Sequence, residues 1–304
     1  MENLQEKTMI GFGDLQYLRT IDEYLSTLDE ARRFPIRQMF AVSRLALELA
    51  HQAHGHHDPL PEIKIRSSTI INAEAMPGRI YLTEGLVNTC ADLTLPENFH
   101  NIMEIDESLS VPLHEFSLAF SLAHEYMHIA RKHSDFEQEL GGSDRFMLAT
   151  EYDADLCGTA VVYRLAQHFY GNQANDRDVR SITLFCILWL ILSMPHSSLA
   201  TTHSSTAERI WGIYLKVCSL RQNRYAPADP SCEGPECRQM AEYLPQVMMR
   251  ISKLRPDLPF NGEGIFGQML RGLQDSSGEF TAADAWEDIR RPIEGGVVRP
   301  TKQD

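Results

Sequence analysis

Residues 112–133 read PLHEFSLAFSLAHEYMHIARKH, a stretch so dense in apolar side chains that a helix built from it must be largely buried. Phe116, Leu118, Ala119, Phe120, Leu122, Ala123, Met127, Ile129 and Ala130 surround His124-Glu125-Tyr126-Met127-His128, the pattern H-E-x-x-H. At about 100° per residue, His124 and His128 lie about 400° apart and share one face. Imidazoles so placed can ligate one Zn²⁺, while Glu125, about 60° from His128, stands beside the ion and can hold its water. Zinc lowers the pKa of bound water toward about 7, which makes Glu125 the candidate general base for hydrolysis of a polarised carbonyl. A chain of this composition produces the pattern by chance roughly once in 25 sequences, and the alternative is a pair of helix-surface histidines. The apolar surroundings weigh against it, because buried polar groups need partners.

A catalytic zinc site needs a third protein ligand and an open fourth position. His133 lies about 500° beyond His128 on a continued helix, about 140° off the ligand face. No glycine at 131 ends the helix to bring it back, so His133 is expected to be a solvated helix-end residue. Downstream, a Gly-Gly-Ser-Asp loop leads to Glu151-Tyr152-Asp153-Ala154-Asp155 near the start of a helical segment. Glu151 and Asp155 are four apart and share a face, whereas Asp153 points away. Glu151 is therefore the expected third ligand, and Asp155 the carboxylate that orients a ligand histidine through its second ring nitrogen. The alternative is a solvated acidic first turn that complements the helix dipole.

Outward from this centre the pattern is mostly helical. Apolar spacing predicts helices over 14–33 and 36–53 separated by Pro35, then 84–93, 112–133, 146–170, 180–194 and 205–221. Further helices are expected near 236–254, 262–274 and 281–290. Ile63-Lys64-Ile65-Arg66 and Arg79-Ile80-Tyr81-Leu82-Thr83 read as strands, with Pro77-Gly78 as a turn. The expected fold is mostly α with a small β-sheet (α+β). Its organisation would be an N-terminal helical segment over 1–60, a central domain over 61–225, a C-terminal helical extension over 226–291 and a mobile tail over 292–304.

The charge balance narrows the partners. Against 42 Asp plus Glu the chain has 28 Lys plus Arg, a formal charge of −14 that disfavours nucleic acid and anionic lipid. Glu2 and Glu6 stand where a signal peptide would be basic. The longest apolar run, Ile182 to Met194, falls short of the roughly 18 to 20 residues that span a bilayer. It reads as a buried helix, with a membrane-peripheral segment as the alternative. Six scattered cysteines, at 90, 157, 186, 218, 232 and 237, suit reduced core thiols and a cytoplasmic location. The Cys232/Cys237 pair lacks the second ligand pair of a structural zinc module.

On these residues the chain resembles the gluzincin metallopeptidases of the HtpX, BepA and CAAX-prenyl-protease type, in which H-E-x-x-H is followed by E-x-x-A-D on a later helix. Two more stretches carry the likeness. Residues 71–86, INAEAMPGRIYLTEGL, are similar to the family's N-A-x-A-x-P-G-G-x-I-x-V-x-x-G-L, and residues 202–210, THSSTAERI, to its T-H-P-x-x-x-x-R-I. The resemblance implies a zincin-like core holding one Zn²⁺ per chain on His124, His128 and Glu151, with Glu125 as base and Asp155 behind the ligands. It also implies that residues 79–83 form the edge strand beside the cleft, where an extended peptide can pair.

Arg79 stands where the family has a second glycine, Ser204 replaces its proline, and the transmembrane helices of HtpX are missing. The implied protein is a soluble zinc endopeptidase acting on a protein or peptide substrate. Similarity to the Lit-type phage-exclusion peptidases suggests a defence or toxin-like setting. By the same analogy His203 is a candidate catalytic residue and Arg209 could assist it. The alternative for these two is capping and ion pairing at their helix, where Ser205 and Glu208 form a capping box. His51, His54, His56 and His57 could bind a second metal or stand solvated in a polar linker. The rival function is a zinc-stabilised binding protein without turnover, and the intact Glu125 favours the enzyme.

Overall fold

The computed structural model describes residues 18–55, 58–135, 143–194, 206–222 and 235–254. A short strand β1 (Leu18–Arg19) precedes α1 (Ile21–Ser26) and α2 (Glu30–Ala53). Strands β2 (Glu62–Arg66), β3 (Ala73–Met76) and β4 (Arg79–Thr83) follow, then α3 (Glu84–Asp92) and α4 (Phe99–Met103). The rest is helical: α5 (Leu113–Ala130), α6 (Asp144–Tyr170), α7 (Asp176–Ser193), α8 (Thr206–Ser219) and α9 (Pro235–Leu254). The fold is α+β, mostly helical with one small mixed sheet, as expected for a zincin-like metallopeptidase.

Two expectations for the N-terminal part need correction. Over its described residues, 18–33, the expected 14–33 helix is instead β1 followed by the six-residue α1, and the helical pattern breaks at Thr27–Asp29, well before Pro35. Asp29 caps the next helix by accepting from the Arg32 amide at 2.9 Å. Pro35 then lies inside α2. One lost backbone bond near a helix start is outweighed by the apolar face that Ile36, Met39, Phe40, Ala46, Leu47 and Ala50 bury.

The four strands run in the order β1-β2-β4-β3, with β2 and β4 parallel and the outer pairs antiparallel. Residues 79–83 are thus an inner strand, buried at Ile80, Tyr81, Leu82 and Thr83, and the edge strands are β1 and, beside β4, β3. The sequence hid β3 because AEAM offers neither β-branched residues nor a clean alternation. Pro77 and Gly78 connect β3 to β4, and Gly78 takes φ +72°, open to glycine at little cost.

Helix α5 is the centre of the molecule. It packs against α2, α6, α7, α3 and both β3 and β4. Its faces are buried nearly all round, from Leu113 to Met127, which is why its sequence is apolar on every side. Helix α7 is buried from Asp178 to Leu192, so the apolar run at 182–194 fills the core. Among the described residues no helix is long and apolar enough to cross a membrane. Cys90, Cys157, Cys186 and Cys218 are free thiols, and burial pushes those of Cys90 and Cys157 up to about 12. The expected helices at 262–274 and 281–290, the tail, and Cys232 lie outside the described residues.

Candidate metal centre

The two motif histidines sit one turn apart near the end of α5. Helix α6 starts at Ser143, whose hydroxyl accepts from the Phe146 amide at 3.2 Å, and crosses α5 where Gly158 meets His124. A Cβ on Gly158 would lie 3.3 Å from the His124 backbone nitrogen, so a bare glycine lets the helices approach this closely. Glu151, Asp155 and Gly158 recur at i, i+4 and i+7 and form the face that α6 turns to α5.

That approach brings three groups to one point. His124 Nε2 lies 3.2 Å from Glu151 Oε2, His128 Nε2 lies 3.5 Å from Glu151 Oε1, and the two Nε2 atoms are 3.3 Å apart. His124, His128 and Glu151 could hold a metal ion between them. A tetrahedral ion with bonds of about 2.0–2.1 Å has ligand-to-ligand edges of about 3.3 Å, and the three separations match that size. Nitrogen and carboxylate donors, with the other ring nitrogens engaged elsewhere, are what such an ion requires.

Behind His124, Asp155 Oδ1 is 2.9 Å from Nδ1. Asp155 in turn accepts a two-pronged grip from Arg209 on α8, Nε to Oδ2 at 2.7 Å and Nη2 to Oδ1 at 2.8 Å. Helix α8 reaches this position because Gly212 sits on Tyr152, where a Cβ would fall 2.6 Å from the ring. Burial opposes the Asp155 charge, but Arg209 and His124 hold its carboxyl down to about 2. Burial likewise opposes an imidazolium at His124, yet Asp155 and Glu151 push it up to about 10. Burial, with His124 and His128's other neighbour His133, holds His128 down to about 3 against the pull of Glu151. The carboxylates thus demand positive charge at this point, a demand that a divalent cation also meets.

His133 overturns its expectation. Helix α5 stops at Ala130, and Lys132 takes the left-handed conformation at φ +55°, so the chain doubles back without glycine. His133 is 3% exposed, with Nδ1 3.0 Å from His128 Nδ1 and Nε2 3.1 Å from Asp153 Oδ2. Asp153, which does point away from Glu151, is buried and ion-paired with Arg131 at 2.5 Å. The sequence contained the signal in the Arg131, His133 and Asp153 spacing, but reading it required knowing where α5 ends.

Glu125 is half-buried beside the cluster, close enough for its charge to act on Arg209. Tyr126 is packed inside, and its hydroxyl lies 2.9 Å from His51 Nδ1 at the end of α2. His54 is exposed, and His56, His57, His203 and Ser205 lie outside the described residues. Among the described residues the sole group of three or more metal-ligating side chains is the His124, His128 and Glu151 cluster.

A search of the curated proteins finds no match to this chain. Residues 37–152 do match the family model described as Peptidase family M48, a stretch that contains His124, Glu125, His128 and Glu151 and stops short of Asp153, Asp155 and Arg209. The stretch that holds the H-E-x-x-H helix and Glu151 is therefore similar to the M48 metallopeptidases.

Proposed function

We propose that the protein is a zinc-dependent endopeptidase that cleaves peptide bonds in a protein or peptide substrate with one ion per chain. The observation that carries this reading is the convergence of His124 Nε2, His128 Nε2 and the Glu151 carboxylate to separations of 3.2–3.5 Å, with the Glu125 carboxylate beside them. A zinc ion held there would lower the pKa of water toward neutrality and polarise the scissile carbonyl. Glu125 is not needed as a ligand. Its carboxylate takes the proton that the attacking water loses and returns it to the departing amine nitrogen.

The substrate would lie along β3. This strand is an edge of the sheet, packs on α5, and offers backbone N–H and C=O groups to an extended peptide. Asp155 and Arg209 hold the ring of His124 while the peptide is processed. The likeness to the Lit-type peptidases supports a cytoplasmic defence setting, and His203 is carried with that likeness as a further catalytic group.

The test is elemental analysis of the purified protein and its variants. The wild type should carry about one zinc per chain and Glu151→Ala should lose it. Glu125→Gln should keep the zinc and lose cleavage of a protein substrate. A wild type free of zinc after metal-replete growth would end the reading.

A further inference from the structure

Behind the ligand cluster runs a second buried chain of polar groups, of which the matched stretch contains His128, Arg131 and His133 but not Asp153. His128, His133, Asp153 and Arg131 follow one another at 3.0, 3.1 and 2.5 Å. His133 and Asp153 are 3% exposed each, and Cys157 adds its thiol at 3.6 Å from Asp153 Oδ1. Burying a second imidazole and a second carboxylate here is costly unless each is satisfied, and the chain's turn at Lys132 is what brings them in.

We infer that His133 is a positioning residue for the metal centre: its Nδ1 accepts a hydrogen bond from His128 Nδ1, with Asp153 and Arg131 fixing His133 in the one tautomer that can do so. The inference rests on the proposed role of His128 as a metal ligand. The proton count then leaves a single arrangement. A neutral imidazole that gives its Nε2 lone pair to a metal carries its proton on Nδ1. The His128 Nδ1–H must therefore donate, and the facing Nδ1 of His133 must accept. A neutral His133 that accepts at Nδ1 carries its proton on Nε2, and that N–H points at Asp153 Oδ2. The same Oδ2 also lies 2.5 Å from Arg131 Nε, a group that can only donate, so this oxygen is placed as the acceptor of both contacts. Every link has one donor and one acceptor, and any other tautomer of His133 would set two N–H groups or two lone pairs face to face.

The discriminating pair of variants is H133L and H133N. Leucine and asparagine have nearly the same shape, but only asparagine keeps an acceptor at the δ position that His133 Nδ1 occupies. Zn²⁺ affinity is measured by competition with a chromophoric chelator, on protein whose folding is checked by circular dichroism. H133L is expected to bind roughly ten- to a hundredfold more weakly, and H133N to recover to within about threefold of wild type. Equal weakening in both, or no weakening in H133L, overturns the inference while leaving the metal site intact. A wild type that binds no Zn²⁺ removes the proposed function and this inference with it. A measurement that needs no variant to fold is the nitrogen-15 spectrum of the zinc-loaded wild type. His133 protonated on Nε2 alone and His128 on Nδ1 supports the chain, and His133 protonated on Nδ1 overturns it.

Discussion

The two motif histidines are one helical turn apart, yet the molecule holds them by different means. Behind His124 stands Asp155 in the grip of Arg209, a contact between residues 54 positions apart that needs α6 and α8 packed on each other. Behind His128 stand His133, Asp153 and Arg131, two of which, Arg131 and His133, come from the turn that ends α5. One ring is fixed by long-range helix packing, the other by the way a helix ends. Because the two arms share only α6, each can be disturbed while the other is watched.

The most severe disturbance should be Arg209→Leu. It leaves the Asp155 carboxylate buried with His124 as its remaining neighbour, and loss of one member of a buried pair costs about 3–5 kcal/mol. The urea midpoint of the metal-free protein should fall accordingly, whereas the tautomer of His133 should not change. A midpoint within error of wild type would mean that the long-range arm is not structural.

Acid should find the same arm next. The Asp155 carboxyl titrates lower in the folded protein, about 2, than its ordinary value of 3.8. A lowered carboxylate stabilises the fold above its unfolded pKa, and this stabilisation is lost as pH falls from about 4 to about 2, an effect of about 2 kcal/mol. Denaturant titrations across that window should show the decline, and Asp155→Asn should flatten it. An unaltered slope in the variant would assign acid sensitivity to other groups.

Gly212→Ala is a gentler probe. The new methyl group would meet the Tyr152 ring at 2.6 Å, and overpacking of this kind costs about 1–3 kcal/mol. Zinc binding, read by chelator competition, should weaken through Arg209 and Asp155. An unchanged affinity would show that α8 can shift without releasing Asp155.

The smallest effect belongs to the local arm. Lys132 holds φ +55° with a side chain that disfavours it, so Lys132→Gly should raise the thermal midpoint by the equivalent of about 1 kcal/mol or less with zinc affinity unchanged. Lys132→Ile should do the reverse. If glycine instead weakened zinc binding, the lysine would be serving the site in some way other than by its backbone.

The same contrast explains what could be read in advance. That Glu151 and Asp155 share one helix face is legible from helix periodicity alone, and the burial of α5 from its apolar density. The placement of His133 is not legible in the sequence because helix periodicity runs on past Ala130, and a left-handed lysine carries no compositional flag. Strand β3 was missed and the edge assigned to residues 79–83 because strand order depends on pairing, which a single sequence does not display. Pro35 reads as a boundary, although the capping Asp29 six residues earlier is the stronger signal. Arg209 lay within a noticed motif, but its partner depended on how α8 packs.

The 3.1 Å contact between His133 and Asp153 also constrains how such a chain can change over time. Either residue alone would be left as a buried polar group without its main neighbour, a loss of about 1–3 kcal/mol. Single replacements should therefore be rejected more strongly than the double replacement of both by apolar residues. Among relatives with this fold, the histidine five places after the motif and the aspartate two places after the residue equivalent to Glu151 should come and go together. Sequences that keep one without the other would need a substitute bond to the same ring.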